Sequence, residues 1–243
     1  MKEVRYFFDA DMKGELPEEE ARHAVKVLRL TSGDTIFLMD GNGCYYEAEI
    51  TTATGHRCFY KVIEKQPQSP AWAGHLHLAM APTKMMDRVE WFAEKATEIG
   101  FDELTFLNCT NSERRVIKCE RINKILISGM KQSHKAWKPV LNEMTDFKSF
   151  VKSPRCGQKF ICHCYADEDV AENGSYTRPY LLDILKKGEP ATVLIGPEGD
   201  FSIEEVKMAL ANGYQSVSLG KSRLRTETAA LVAVHCMQIK NQN

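Results

Sequence analysis

The 243 residues carry a formal net charge of −1 and 43% hydrophobic side chains, an ordinary soluble globular composition with core enough for one large domain or two modest ones. No apolar run approaches the roughly 20 residues that span a bilayer, and MKEVRYFFDADMKGE lacks the apolar centre of a signal peptide. The eight cysteines are irregularly spaced and read as reduced thiols, so the expected location is the cytoplasm, with no membrane partner.

Residues 1–70 read as a small β-rich module. Val4–Phe8 is a strand. Pro17 suits the first position of a helix, with Glu18–Glu20 in its first turn and Ala21, Ala24, Val25 and Leu28 as its apolar stripe. Short strands follow at Thr35–Met39, Tyr45–Thr51 and His56–Glu64, the first two joined by the turn Asp40-Gly41-Asn42-Gly43. This pattern predicts a small barrel. Gln66-Pro67-Gln68-Ser69-Pro70, polar and twice proline, reads as a linker to a second domain over 71–243.

From residue 74 strands and helices alternate, the pattern of a largely parallel sheet. His75–Met80 is a strand. Lys84–Ile99 is a helix with Met85, Val89, Phe92, Ala96 and Ile99 on one face, ended by Gly100. Glu103–Leu107 is the next strand and residues 118–133 the next helix, with Ile122, Ile125, Leu126 and Gly129 inward. Residues 112–140 hold eight Lys/Arg against Glu113 and Glu120, a local charge of +6, either a solvated helix face or a phosphate-contacting surface. Phe160–Cys164 is a strand and Pro179–Lys187 a short helix. Cys162-His163-Cys164 does not read as a metal site, because alternate strand residues face opposite ways and no second ligand pair completes a zinc set. No phosphate-binding G-x-x-x-x-G-K-[ST] loop or G-x-S-x-G elbow is present, which excludes those ATPase and hydrolase classes.

Two strand–turn–helix units close the chain. Thr192–Ile195 is a buried strand, broken by Gly196-Pro197-Glu198-Gly199. Ser202 with Glu205 forms a capping box for a helix whose stripe is Ile203, Val206 and Leu210, ended by Asn212-Gly213. Ser216–Leu219 is the next strand and Gly220 opens its loop. Thr226 can cap a last helix of Ala229, Ala230, Val232, Ala233, Val234 and Met237, apolar on nearly every side and so expected to be buried. Two glycine-bearing loops at the carboxyl ends of adjacent parallel strands make a ligand crevice or are ordinary turns; spacing alone leaves both open.

GPEGDFS and, after a short helix, LGKSRLRTETAA closely resemble the motifs GPEGGFS and LGxRILRTETA of the RsmE family of 16S rRNA uridine-N3 methyltransferases, in the SPOUT class. Leu224–Ala229 matches throughout; Asp200 stands for a glycine, Ser222 for an arginine and Arg223 for an aliphatic residue. His23–Arg29 with Gly33-Asp34 is similar to the family's H-x-x-x-VLR…GD, Lys84…Lys95–Phe101 to its K…KATELGV, and Lys131–Lys135 to its EQSxR, with Lys131 reversing a charge. Asn111–Arg114 lies near its T-x-R-S. The resemblance implies a trefoil-knotted, largely parallel α/β domain behind a PUA-like RNA-binding barrel. It also implies a homodimer, with S-adenosylmethionine as cofactor and S-adenosylhomocysteine as product. The implied substrate is a uridine N3 of 16S rRNA, in the small subunit. Two alternatives are a non-catalytic RNA-binding or assembly factor on the same fold and a SPOUT methyltransferase of another RNA.

On that basis backbone groups of Leu194, Gly196, Glu198, Gly199, Leu219 and Gly220 and the Leu224 side chain, with Pro197 and Thr226, are expected to hold the cofactor, glycine serving where backbone must approach the ligand. Arg225 is expected to stabilise the uridine anion or hold a flanking phosphate. Glu198 is the candidate proton acceptor, a carboxylate whose basicity an apolar pocket would raise. Glu227 reads as a structural residue in the helix's first turn. Arg22, His23, Arg29, Lys84, Arg114, Gln132 and Lys135 are the candidate RNA contacts.

Overall fold

The computed structural model describes residues 6–165 and 178–242. Its contacts divide the chain into Met1–Pro70 with Ile127–Lys138, and Ala71–Leu126 with Pro139–Asn243. A single cut at residue 70 therefore misses that Ile127–Lys138 groups with the amino-terminal residues.

In the first unit, β1 (Tyr6–Phe8) pairs in parallel with β2 (Thr35–Met39), while β3 (Cys44–Thr54) and β4 (Arg57–Pro67) continue the sheet antiparallel. Val4 and Arg5, expected in the first strand, lie outside the described residues. Gln66 and Pro67, expected in the linker, pair with Tyr45 and Cys44 instead; a proline is tolerated at the end of an edge strand. The sheet's two edges are drawn together. Asp9, just after β1, is buried and accepts the Tyr60 hydroxyl of β4 at 2.6 Å, while Leu16 N–H donates to Cys58 O within β4 at 2.9 Å. Phe7, Leu38, Ala48, Ile50 and Cys58 fill the interior. The expected turn is held by Asp40, which accepts the N–H groups of Asn42 (2.7 Å) and Cys44 (3.1 Å).

α1 (Glu18–Arg22) is shorter than its stripe suggested, because His23–Val27 continues it as a π-helical turn. Pro17 is the residue before the helix rather than its first. Ala21 and Ala24 stay buried, but the wider turn leaves Val25 and Leu28 only partly covered.

The second unit is a seven-stranded sheet in the order β11-β9-β10-β5-β6-β7, with β8 also on β6. In chain order its elements are β5 (Leu76–Met80), α2 (Met86–Ile99), β6 (Glu103–Asn108), α3 (Cys119–Gln132), β7 (Val140–Leu141), β8 (Thr145–Asp146) and α4 (Phe147–Lys152). Then come β9 (Gln158–Cys162), α5 (Leu181–Ile184), β10 (Ala191–Ile195), α6 (Ile203–Ala211), β11 (Gln215–Val217) and α7 (Thr226–Asn241). The division between units falls within α3. All of this sheet's pairings are parallel, and both faces are covered, as parallel sheets require. Leu76, Leu78 and Met80 share one core with Val89 and Phe92 of α2 and Ala233, Val234 and Met237 of α7. Ala79, Leu107, Ile161 and Leu194 face Phe147, Phe150, Phe201 and Val206 on the other side.

The expected capping box is present: Ser202 Oγ accepts Glu205 N–H (3.2 Å) and the Glu205 carboxylate accepts Ser202 N–H (2.8 Å). Gly100 has φ +117°, and a Cβ there would come within 2.6 Å of the Trp72 ring, so only glycine ends α2. Met85 precedes α2 and is exposed rather than buried in its stripe. Thr226 is the first residue of α7 and Arg225, without a side-chain cap, is the residue before it. α7 leaves the β11 edge and crosses β9 and β10 to pack on α2 and β5. It is not buried all round: Leu231 and Val232 are half-covered, His235 is exposed and Ile239 is 46% exposed. Among the described residues no helix is long and apolar enough to cross a membrane.

Candidate functional site

The second unit holds a cleft of about 680 Å³ at the carboxyl ends of β9, β10 and β11, a volume within the range of small-molecule sites. One wall is the loop 196–202 after β10, the other the loop 218–225 after β11.

The first loop is rigidly held. Glu198 accepts the Lys84 N–H at 2.9 Å. Arg114 braces the same segment, donating from Nε to Thr83 O (3.1 Å) and from Nη2 to Lys84 O (2.5 Å). Asn111 Nδ2 donates to the carbonyls of Gly199 (3.3 Å) and Asp200 (3.1 Å). A Cβ at Gly196 would press on Phe201 N at 3.0 Å. Asp200, where the family motif has glycine, adopts φ +64°, a left-handed conformation that aspartate tolerates better than most residues. Its carboxylate accepts Phe201 N–H (2.8 Å) and, across the cleft floor, Cys164 N–H (2.7 Å). The departure from the motif therefore sits in a backbone conformation that glycine also adopts.

The second loop is open. Gly220 has φ +126° and no atom within 4 Å of a built Cβ, and Lys221, Ser222, Arg223 and Arg225 are exposed. Among the described residues the Arg225 guanidinium makes no hydrogen bond or ion pair. Arg88 of α2 also lines the cleft and pairs at 3.6 Å with Glu227, which is 6% exposed at the start of α7. Among the described residues, five cations (Arg88, Arg178, Lys221, Arg223, Arg225) thus line the cleft against Glu198 and Asp200.

Of the expected cofactor residues, Gly196, Pro197, Glu198, Leu219, Gly220, Leu224 and Thr226 are on the cleft wall. Leu194 and Gly199 are not: Leu194 is packed among Ala79 and Phe201 on the sheet's other face, and Gly199 abuts Asn111. Ile195 also lines the cleft. Arg88 and Arg178 carried no motif signal; only folding brings them to the cleft.

β9 ends at Cys162, two residues earlier than expected, so strand alternation does not extend to Cys164. Cys162 packs with the apolar core, buried His163 pairs through Nε2 with Ser216 Oγ at 2.8 Å, and Cys164 lies exposed in the loop. Burial and the Asp200 carboxylate push the Cys164 thiol above its ordinary range, against the pull of Arg223 and Arg178.

The candidate RNA contacts divide between the units. Arg22, His23, Arg29 and Gln132 are exposed in the first, with Lys135 half-buried. In the second, Lys84 is paired with Glu113 at 2.8 Å and Arg114 is committed to backbone carbonyls. Arg115 likewise bonds Asn108 and Thr110, and Arg121 pairs with Glu90. The +6 stretch therefore offers fewer unengaged cations than its composition suggests.

The cleft fits S-adenosylmethionine. The space above Gly220 is free where a side chain would stand, Ile195, Leu219, Leu224 and Ala229 provide apolar surface for an adenosine, and charges of both signs line the remainder.

Residues 70–238 match the family model of an RNA methyltransferase domain, and residues 16–63 that of an RNA methyltransferase PUA domain. Ribosomal RNA small subunit methyltransferase E of Rickettsia conorii is 27% identical over 237 residues, 93% of each chain. A crystal structure of a probable rRNA-methyltransferase from Porphyromonas gingivalis is 41% identical, with a TM-score of 0.87 over 97% of this chain and 99% of that one. Ribosomal RNA small subunit methyltransferase E from Neisseria gonorrhoeae, bound to S-adenosyl methionine, is 25% identical with a TM-score of 0.76 over 98% of both chains.

Proposed function

The chain belongs to the RNA methyltransferase family, and from that premise we propose that it methylates N3 of one uridine in 16S rRNA, acting as a homodimer on the small ribosomal subunit. It is an S-adenosylmethionine-dependent ribosomal RNA methyltransferase with a SPOUT-type α/β domain and an amino-terminal PUA domain.

The observation that carries the reading is the pairing of a braced loop with an open one around one cleft, with Arg225 on its lining and its guanidinium unengaged among the described residues. When bound, the cofactor supplies a methyl group on a sulfonium, an electrophile that asks for positioning and electrostatics more than covalent help. The uridine N3 proton must leave before or during attack. Arg225, exposed on the cleft lining, stabilises the negative charge this leaves on the base. Glu198 is exposed rather than set in an apolar pocket. With one oxygen on the Lys84 N–H, its main task is to hold the loop between β5 and α2. Arg22, His23, Arg29, Gln132 and Lys135 are the RNA contacts of the first unit, and the target base is splayed out of its stack to react. The partly exposed face of α7 with Trp91 of α2, 44% exposed, is the proposed dimer surface.

The test is methyl transfer from labelled cofactor to small subunits lacking the modification, with mass analysis of the digested nucleosides. A single 3-methyluridine is the expected product. No transfer to subunits or naked rRNA, despite cofactor binding, would sink the substrate assignment.

A further inference from the structure

We propose that Asp200 gives this chain's cleft an anionic seat for the ammonium of the cofactor's methionine end, a contact that a motif glycine cannot make. The inference rests on reading the cleft as the S-adenosylmethionine site.

Three observations lead to it. First, the left-handed φ of +64° is one that glycine reaches freely, so the loop does not need a side chain here, and the carboxylate is an addition to it. Second, that carboxylate is fixed in place. Oδ1 accepts Phe201 N–H at 2.8 Å and Oδ2 accepts Cys164 N–H at 2.7 Å, while Asn111 holds the backbone carbonyl at 3.1 Å. A carboxylate has about four acceptor sites, so these bonds aim both oxygens while leaving each able to accept again. Third, the charges around it are arranged as a zwitterion requires. Of the two carboxylates that line the cleft among the described residues, Glu198 is turned to the Lys84 N–H. Asp200 is the one bonded to Cys164; Arg178, which donates to the neighbouring His163 carbonyl at 2.7 Å, lines the same cleft, as does Arg223. An α-amino acid end set there finds an anion for its ammonium and guanidinium groups for its carboxylate.

The experiment is calorimetric titration of the wild type, Asp200→Asn and Asp200→Gly with three probes: S-adenosylmethionine, S-adenosylhomocysteine and 5′-methylthioadenosine. The last keeps the adenosine and a neutral sulfur but lacks the amino-acid end. Loss of one charge-assisted contact should weaken both amino-acid-bearing ligands by about tenfold or more in either variant, and methylthioadenosine by less than about twofold. Melting temperatures of the ligand-free variants report whether the loop still folds; glycine keeps its backbone conformation available. If Asp200→Asn and Asp200→Gly bind S-adenosylhomocysteine as the wild type does, the proposal falls. It falls equally if methylthioadenosine weakens by the same factor, because Asp200 would then act only by shaping the loop. Failure of the wild type to bind any of the three would instead overturn the reading of the cleft, and this inference with it.

Discussion

The two ends of the parallel sheet are built on opposite principles. At the carboxyl end, charged side chains are held out from the backbone: Lys221, Arg223 and Arg225 are exposed around a cleft. At the amino end the charges consume one another. Glu103 accepts Asn142 Nδ2 at 2.6 Å and meets His75 Nε2 at 2.8 Å. Buried His77 reaches Thr105 Oγ1 at 2.9 Å and Arg155 at 3.2 Å, and the Arg155 guanidinium lies 3.7 Å over the Phe150 ring. Polar groups that satisfy each other stabilise a fold; polar groups left over can recognise a ligand. The same sheet therefore separates stability from function along its strands.

The strongest way to sharpen this contrast is Arg225→Ala. Methyl transfer should fall by about a hundredfold or more, as for loss of a group that stabilises developing charge. Cofactor affinity and melting temperature should scarcely move. Equal loss of transfer and cofactor binding would place Arg225 in the cofactor pocket instead. Gly220→Ala comes next. A φ of +126° is nearly closed to other residues, at a cost of about 1–3 kcal/mol. Since the loop is open, that cost should appear as cofactor binding weakened about tenfold, with little thermal effect.

At the amino end the expectation reverses. Glu103→Gln should cost about 1–2 kcal/mol, a few degrees of melting temperature for a domain of this size, with methyl transfer within about twofold of wild type. The same cluster also predicts a pH dependence. Hydrogen bonding from His75 holds Glu103 down to about 2 from an ordinary 4.5, so its stabilisation is present above pH 4.5 and is lost as pH falls toward 2. Burial lowers His77 from 6.5 to about 4. The unfolded chain therefore binds the extra proton first, and stability drops as pH falls from 6.5 to 4. His75, raised by Glu103, works the other way: its contribution is full below 6.5 and fades as pH rises through its folded value. Thermal melts from pH 7 to 4 should show a net fall that His77→Gln flattens. A flat wild-type profile would break the contrast.

Local chemistry was legible where one stretch of chain decides the outcome. Ser202 and Glu205 stand three residues apart and cap their helix as read. Asp40-Gly41-Asn42-Gly43 makes its turn because the aspartate bonds the backbone ahead of it. What the chain did not show along its length depends on partners far away. The other Glu205 oxygen accepts the Thr110 N–H at 2.8 Å, 95 residues distant. The Glu198 carboxylate, read as a possible base in an apolar pocket, is exposed and tied to Lys84. The π-helical turn at His23–Val27 escapes a search for a 3.6-residue period.

The sequence by itself determined the family motifs, the strand–helix alternation and the two loops that make a cleft, because turn chemistry, capping and apolar period are properties of neighbouring residues. The tertiary structure decided which charges remain available. Arg88 and Arg178 join the cleft while Arg114, Arg115 and Lys84 are engaged elsewhere. A guanidinium's role depends on what stands within hydrogen-bonding distance of it, and that is settled only when segments remote in sequence are packed together.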